Sequence, residues 1–237
     1  MQVENQEKFI ELRVNRDFGD IINVYFEFFK QNLKKFTNVF LSYNGIFLIG
    51  LLIVSYLLVS GMMGLFTDNQ NTVINAVGTE SKSYVMYLIF GGILFFIIFI
   101  MVAALNYSLS TSYMIKYEER KGLNFDKTDV WEEVKNNLGS IMVFILILIV
   151  LFFGLMIAAV VLTFIPLAGM LAQYVIQYFV MAWVGVSFFV MLKEKRSVTD
   201  ALGEGWNLVT KNFWRAVGVN FILGFLIGLL FMVVIMI

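Results

Sequence analysis

The chain has 237 residues, of which 60% are hydrophobic and 14% are charged, whereas soluble domains are about 45–50% apolar and about 25% charged; this composition is typical of a membrane protein. The formal net charge is zero, which excludes a global field that would attract nucleic acid or acidic substrates. There is no Cys and no His, so disulfide and thiolate chemistry are excluded and the commonest metal ligand and general acid–base group are missing.

The first twenty residues, MQVENQEKFIELRVNRDFGD, are charged and contain no long apolar run. They do not form a cleavable signal peptide, so the first apolar span must itself direct insertion. Residues 21–40 follow with apolar side chains at helical spacing, which predicts an amphipathic helix along the inner membrane surface. Its apolar stripe consists of Ile22, Tyr25, Phe26, Phe29, Leu33, Phe36 and Phe40.

Five apolar runs are long enough to cross a bilayer, which requires about 20 residues. None of the five contains Asp, Glu, Lys or Arg, and none alternates apolar with polar residues as barrel strands do, so all five are predicted to be helices. The predicted spans are residues 45–66, 84–105, 141–164, 167–192 and 216–237.

Two further segments have helical apolar stripes and precede the third and fifth spans. Thr128–Asp129 and Thr199–Asp200 are placed as their N-caps. All three amphipathic segments, including residues 21–40, are expected to lie near the membrane plane and to meet their spans at a bend. The stripes are Val130, Trp131, Val134, Leu138 and Ile141 in one segment, and Leu202, Trp206, Val209 and Phe213 in the other.

A Lys/Asn-containing segment recurs before three apolar runs, as FKQNLKKFTNVFL, VKNNLGSIMVFIL and VTKNFWRAVGVNFIL. The sequence therefore predicts a repeated unit of one amphipathic helix and two spans, over residues 17–116 and 126–196. A third unit at 197–237 contains only one span, which predicts a sixth span after Ile237 or a third unit that lost it. All units belong to one membrane domain, residues 1–237.

The orientation follows from Lys and Arg in the connecting segments. Successive segments carry six, one, five, none and five such residues, so the N-terminus is predicted to be cytoplasmic and the 67–83 loop external. The basic residues are Lys8, Arg13, Arg16, Lys30, Lys34 and Lys35, then Lys82, then Lys116, Arg120, Lys121, Lys127 and Lys135, and last Lys193, Lys195, Arg196, Lys211 and Arg215.

Three segments, RDFGDIINVYFEFFKQN, IPLAG at 165–169 and SVTDALGEGWNLVTKNFW, resemble a group of bacterial multi-pass membrane proteins. These proteins are similar to the membrane domain attached to some glycerophosphodiester phosphodiesterases. The resemblance implies a polytopic membrane fold and a bacterial cytoplasmic membrane location. It does not imply the phosphodiesterase activity, because the catalytic domain and its His residues are missing from this sequence.

Candidate binding residues fall into three groups. Small residues spaced by four predict close helix packing, within the chain or with a partner: Ser60 and Gly64, Gly154 and Ala158, and Gly224 and Gly228. Neutral polar residues within spans predict either a polar path or interhelical hydrogen bonds: Gln173, Gln177 and Asn220. Basic residues of the amphipathic segments predict contacts with anionic lipid: Lys30, Lys34, Lys35, Lys135, Lys211 and Arg215.

The Gly224–Gly228 pair is the strongest candidate for a contact outside the chain, because the fifth span has no returning helix within this sequence. No catalytic residue, metal site or cofactor is predicted, since the spans contain no ionisable group and Glu132–Glu133 point about 100° apart on a helix. The sequence thus predicts an all-α polytopic membrane protein with five spans and three cytoplasmic-face amphipathic helices. Its predicted role is that of a non-enzymatic scaffold or accessory subunit, which binds other membrane proteins or copies of itself. The alternative is a transport or lipid-handling protein.

Overall fold

Seven α-helices account for nearly all of residues 9–67, 79–165 and 167–236, which the computed structural model describes. No strand occurs in these ranges, so the all-α prediction is confirmed there. The helices are α1 Phe18–Thr67, α2 Thr79–Glu119, α3 Lys127–Asn136, α4 Leu138–Thr163, α5 Ala168–Glu194, α6 Val198–Lys211 and α7 Phe213–Met236. Residues 68–78 of the predicted external loop and Pro166 of the short turn lie outside the described residues. Lys82 lies in the first turn of α2, where side chains are not described.

Four helices, α1, α2, α4 and α5, are long and apolar enough to cross a membrane. A fifth candidate arises if α6 and α7 are counted together as one span that is broken between Lys211 and Phe213. The helix axes of this pair differ by 92°. The length and composition of these helices are compatible with a polytopic helical membrane protein.

Helix α1 differs from the sequence-based expectation, because it continues without a break from the predicted amphipathic segment into the first predicted span. It has 50 residues, and a helix of that length is about 75 Å long, against a hydrocarbon thickness of roughly 30 Å. The junction contains no Pro, and Asn44 is fully buried there while its Nδ2 donates to Asn106 Oδ1 at 2.6 Å. This lateral support from α2 keeps the segment helical where a bend was predicted.

The same kind of side-chain hydrogen bond occurs in each of the three Lys/Asn segments, although the first segment continues as one helix and the other two end a helix. In each segment the Asn side chain donates from Nδ2 to the backbone carbonyl four residues earlier. The pairs are Asn32 with Phe28 O at 2.9 Å, Asn137 with Glu133 O at 2.7 Å, and Asn212 with Leu208 O at 3.0 Å. Asn137 and Asn212 separate two helices, where this bond satisfies a carbonyl that the helix end leaves unpaired.

The N-caps of α3 and α6 lie two or three residues before the predicted positions. Asp126 caps α3, since its carboxylate accepts from Thr128 N and Asp129 N, while Asp129 returns a bond to Asp126 N at 2.8 Å. Ser197 caps α6 by accepting from Asp200 N at 3.2 Å. Asp129 and Asp200 therefore occupy the third helical position of α3 and α6, where a carboxylate stabilises the helix N-terminus.

Residues 36–110 form one packing unit, in which the C-terminal part of α1 runs antiparallel to the N-terminal part of α2. Glycines allow this close approach: a Cβ on Gly61 would lie 3.4 Å from Leu88, and one on Gly91 would lie 3.1 Å from Leu58. Gly61 is buried and the neighbouring Ser60 is exposed. The predicted Gly64 also packs here, against Tyr84, whereas Gly61 and Gly91 were missed by the i, i+4 search.

Residues 9–35 and 111–236 form the second unit, in which α5 packs against α4, α6 and α7. Helix α6 crosses α5 where Gly205 faces Ser187, and Trp183 Nε1 donates to Leu202 O at 2.8 Å beside this crossing. The rings of Tyr178 and Phe221 meet edge to face with centroids 5.6 Å apart, which joins α5 to α7. The face of α6 toward α5 therefore combines the small residue Gly205 with Trp206, whose ring contacts Phe179 and Trp183 edge to face.

Burial is concentrated at one end of this second unit. The C-terminal part of α2 is almost completely buried, with Thr111, Ser112, Tyr113, Ile115 and Tyr117 at 4% exposure or less. By contrast, none of the most apolar 18-residue stretch of α4 is buried. The chain packs tightly where helix ends meet and leaves large apolar surfaces on its spans.

Candidate functional site

Six charged side chains from α2, α3 and the end of α5 form the ion-pair cluster, defined as Lys116, Glu118, Glu119, Glu133, Lys193 and Lys195. Glu133 is its centre, with a carboxylate 2.9 Å from Lys116 Nζ and a second ion pair to Lys195. Asn137 Nδ2 also donates to Glu133 Oε1, at 3.0 Å. Lys193 Nζ is 3.6 Å from both Glu118 and Glu119, which extends the cluster along α2.

The electrostatics of Glu133 explain how a nearly buried carboxylate remains charged. Burial alone raises the pKa of the Glu133 carboxyl, but hydrogen bonds and charges from Lys195 and Lys116 outweigh this and hold the pKa below its usual value. Glu132, its neighbour, is exposed, which agrees with the predicted 100° separation of the two side chains. The Glu133 carboxylate is thus committed to joining three helices.

The N-terminal segment before α1 is attached to the same end of the unit. Ile10 N donates to the hydroxyl of Tyr117 at 3.0 Å, and the Phe9 ring stacks on Tyr117 with centroids 5.4 Å apart. Asn32 of α1 accepts from the Tyr113 hydroxyl at 2.8 Å, and both side chains are buried. Two tyrosine hydroxyls of α2 therefore bind the N-terminal segment at Ile10 and helix α1 at Asn32.

Some of the predicted packing residues contact another helix of the chain, and others have no neighbour within the described residues. A Cβ on Gly224 would lie 3.4 Å from the Tyr178 ring, so Gly224 contacts α5 within the chain. Nothing lies within 4 Å of a Cβ on Gly228 or on Gly154, and Ala158 is exposed. Gly64 lies against the Tyr84 ring of α2. Contacts of Gly228, Gly154 and Ala158 with another molecule stay predictions.

The three residues proposed for a polar path are not linked by hydrogen bonds in the part of the chain that the structure describes. Gln173 and Gln177 are both exposed on α5. Asn220 is half-buried on α7, and its Nδ2 donates to Ala216 O in the same helix at 2.9 Å. A cleft of about 290 Å³ lies between α1 and α2, but its walls contain none of these three residues. It is lined by Phe36, Phe40, Asn106, Tyr107 and Ser110.

The predicted lipid-contacting lysines lie beside exposed apolar side chains. Around the N-terminal half of α1, one face turns toward the protein through Asn32 and a second exposes a row of large apolar residues. A third face carries Lys30 and Lys34, which are exposed. The exposed apolar row is Tyr25, Phe26, Phe29 and Leu33. Lys35, Lys135, Lys211 and Arg215 are exposed too, and Arg215 donates to Asn15 Oδ1 at 3.3 Å.

The buried face of α6 overlaps the predicted stripe in part. Its buried residues are Val198, Ala201, Gly205 and Val209, of which Val209 belongs to the predicted stripe, while the predicted Trp206 is 47% exposed and contacts Phe179 of α5. Gly205 was missed as a contact residue, although it lies three positions after the predicted stripe residue Leu202. Ser187, which meets Gly205, is recognisable in the sequence as a neutral polar residue within a span, but the sequence does not show which helix it faces.

Comparison of the chain with models of protein families, with characterised proteins and with solved structures finds no match in any of the three.

Proposed function

We propose that this protein is a non-enzymatic membrane scaffold or accessory subunit, whose spans bind other membrane proteins. One contrast carries the proposal. The helix ends are tightly packed and joined by ion pairs, whereas the spans have large apolar surfaces that no other described helix covers. In α4 the most apolar stretch has no buried residue. Lipid can cover such a surface, but small residues on it, as at Gly154, favour contact with another helix.

The arrangement of charged groups supports a structural role. Glu133 pairs with Lys116 and Lys195, and Glu194 pairs with Arg196 at 2.9 Å and with Arg13 at 3.5 Å. Carboxylates that are neutralised in this way hold helices together, whereas a general acid or base needs access to a substrate. No specific observation favours the alternative transport function.

We further propose that the N-terminal part of α1 and the whole of α6 contact the lipid surface. Both carry partly exposed aromatic residues and exposed basic residues, as Phe26 lies one turn before Lys30 on α1, and Trp206 is 47% exposed on the same helix as Lys211. Aromatic side chains favour the membrane interface, and each well-placed basic residue contributes about 1 kcal/mol toward binding an anionic surface. The 92° bend before α7 supports an orientation of α6 along the membrane plane when α7 crosses it.

The proposed location is a bacterial cytoplasmic membrane, which the chain crosses five times with its N-terminus inside. The orientation is supported by the alternating Lys and Arg counts of the connecting segments, and the location by the resemblance described above. Single cysteines at Asn71 and Asn124 should react with an impermeant thiol reagent from opposite sides of the membrane. The chain has no Cys of its own, so labelling reports only the introduced residue. Labelling of both positions from the same side would contradict this topology.

The scaffold proposal predicts a stoichiometric partner in material purified from native membranes in a mild detergent. Gly228→Ile should reduce this partner severalfold without changing the thermal stability of the purified chain, because nothing lies within 4 Å of a Cβ at Gly228. Gly92→Ile is the matched control, since Gly92 also has open space around it and is outside the predicted packing set. Wild-type protein that purifies without a partner, or a partner that Gly228→Ile leaves unchanged, would refute this contact.

A further inference from the structure

One face of α5 is polar and exposed within a candidate membrane span. The amides of Gln173 and Gln177 lie on this face, one helical turn apart, and both are exposed. Tyr174 is 56% exposed beside them, and Met170 and Met181 extend the exposed row in both directions. We call these five residues the α5 face. Their spacing of three and four residues is that of a helix surface that packs against another helix.

The position of the two glutamines makes contact with lipid unfavourable. They follow Ala168 by five and nine residues, which places them about 7 and 13 Å along the helix, inside a hydrocarbon layer of roughly 30 Å. Neither amide has a hydrogen-bond partner among the described residues. An amide that faces hydrocarbon keeps its donors and acceptor unpaired, and this cost is removed when another helix supplies the missing partners.

In the C-terminal half of α5, the same side of the helix is covered by α4 and does not face lipid. Phe188 lies eleven residues after Gln177, three helical turns along the same side, and it is buried against Phe144 of α4 with ring centroids 5.1 Å apart. The same side of α5 is therefore covered at one end by α4 and open at the other. The open part is the part that contains the two amides.

We propose that the α5 face binds the α5 face of a second copy of this chain. An amide carries both donor and acceptor groups, so two glutamines related by a two-fold axis can each satisfy the other. A partner with only apolar residues could not do so. This inference rests on the proposed scaffold role and specifies one interface of it, with the chain as its own partner.

Disulfide cross-linking tests the interface in native membranes, because the wild-type chain contains no Cys. Tyr174→Cys should form a covalent homodimer on mild oxidation. Ile157→Cys is the control: Ile157 is 69% exposed on α4 and lies as far before the external turn as Tyr174 lies after it. The Tyr174→Cys dimer should form severalfold faster. Equal rates at the two positions would overturn the proposal.

A second experiment tests the amides themselves. Gln173→Leu with Gln177→Leu should weaken dimerisation about ten-fold, as expected for the loss of interhelical hydrogen bonds. The measurement is the dimer fraction in lipid vesicles at graded protein-to-lipid ratios, by counting labelled subunits. An unchanged dimer fraction would overturn the proposal. Cross-linking of Tyr174→Cys to a different protein would overturn the second-copy assignment while supporting the scaffold role, so the two failures are distinguishable.

Discussion

Gly205→Ala should lower the free energy of unfolding by about 2 kcal/mol, the cost of forcing an extra methyl group into a packed contact. A Cβ at this position would lie 3.0 Å from Ser187 Cα and closer still to Ser187 Oγ. Ser187 is fully buried, so neither helix can move aside cheaply. We expect α6 to separate from α5, with loss of the Trp183 hydrogen bond to Leu202 O. Thermal unfolding of the detergent-solubilised protein measures the effect.

The matched control is Gly203→Ala, two positions earlier in the same helix. Nothing lies within 4 Å of a Cβ at Gly203, so alanine there should stabilise the protein by up to about 1 kcal/mol through helix propensity. Ser187→Gly combined with Gly205→Ala should recover part of the lost stability, because it removes the side chain that the new methyl group meets. Similar unfolding temperatures for the two single variants would contradict this account of the crossing.

Glu133→Gln should destabilise the protein by about 2 kcal/mol at neutral pH, because a nearly buried carboxylate loses its charged hydrogen bonds to Lys116 and Lys195. The loss is smaller than for a fully buried ion pair, since Lys116 keeps Glu119 as a partner and the Lys195 side chain is 59% exposed. Asn137 would still find an amide oxygen at this position, so α3 itself should form. Denaturation monitored by tryptophan fluorescence at pH 7 measures the loss.

The pH dependence gives this prediction a second readout. The pKa of Glu133 is lowered in the folded protein, so its contribution to stability is complete above the ordinary glutamate value of about 4.3 and is lost as pH falls through the folded value. The difference between wild type and Glu133→Gln should therefore be largest at pH 7 and shrink below about pH 4. Glu132→Gln is the control, because Glu132 is exposed. A difference that grew with acidity would show that the ion pairs do not cause it.

The sequence predicted the helices well where composition alone decides them. Uncharged apolar runs must be helical in a membrane. The polar face of the first amphipathic segment wrongly suggested a bend between this segment and the first span, since α1 is one continuous helix. Nothing in the pattern shows that α2 lies alongside and supports α1 through Asn44, because that contact joins residues 62 positions apart.

The candidate site was less predictable for a related reason. The basic residues predicted to contact lipid are exposed, as charges that avoid hydrocarbon should be, and their contact with lipid stays a prediction. The centre of the ion-pair cluster was not, because Glu133 differs from Glu132 only in which side of a short helix it occupies. For Gln173 and Gln177, hydropathy reveals polarity within a span but not whether the side chain faces the protein interior or its outside. That distinction depends on where α4 and α5 separate.

The burial of the C-terminal end of α2 has a consequence for the order of events during synthesis. Chains are made from the N-terminus, so α1 and α2 are complete before α3, which contains Glu133, and well before Lys193 and Lys195 at the end of α5. Until those residues are in place, Lys116 has no carboxylate from another helix, whereas the Tyr113 hydroxyl can already bond to Asn32 and the Tyr117 hydroxyl to Ile10 N. The C-terminal end of α2 is therefore expected to stay uncovered until α3 and α5 pack against it. A nascent chain stopped before α3 is thus expected to be the form most exposed to proteolysis.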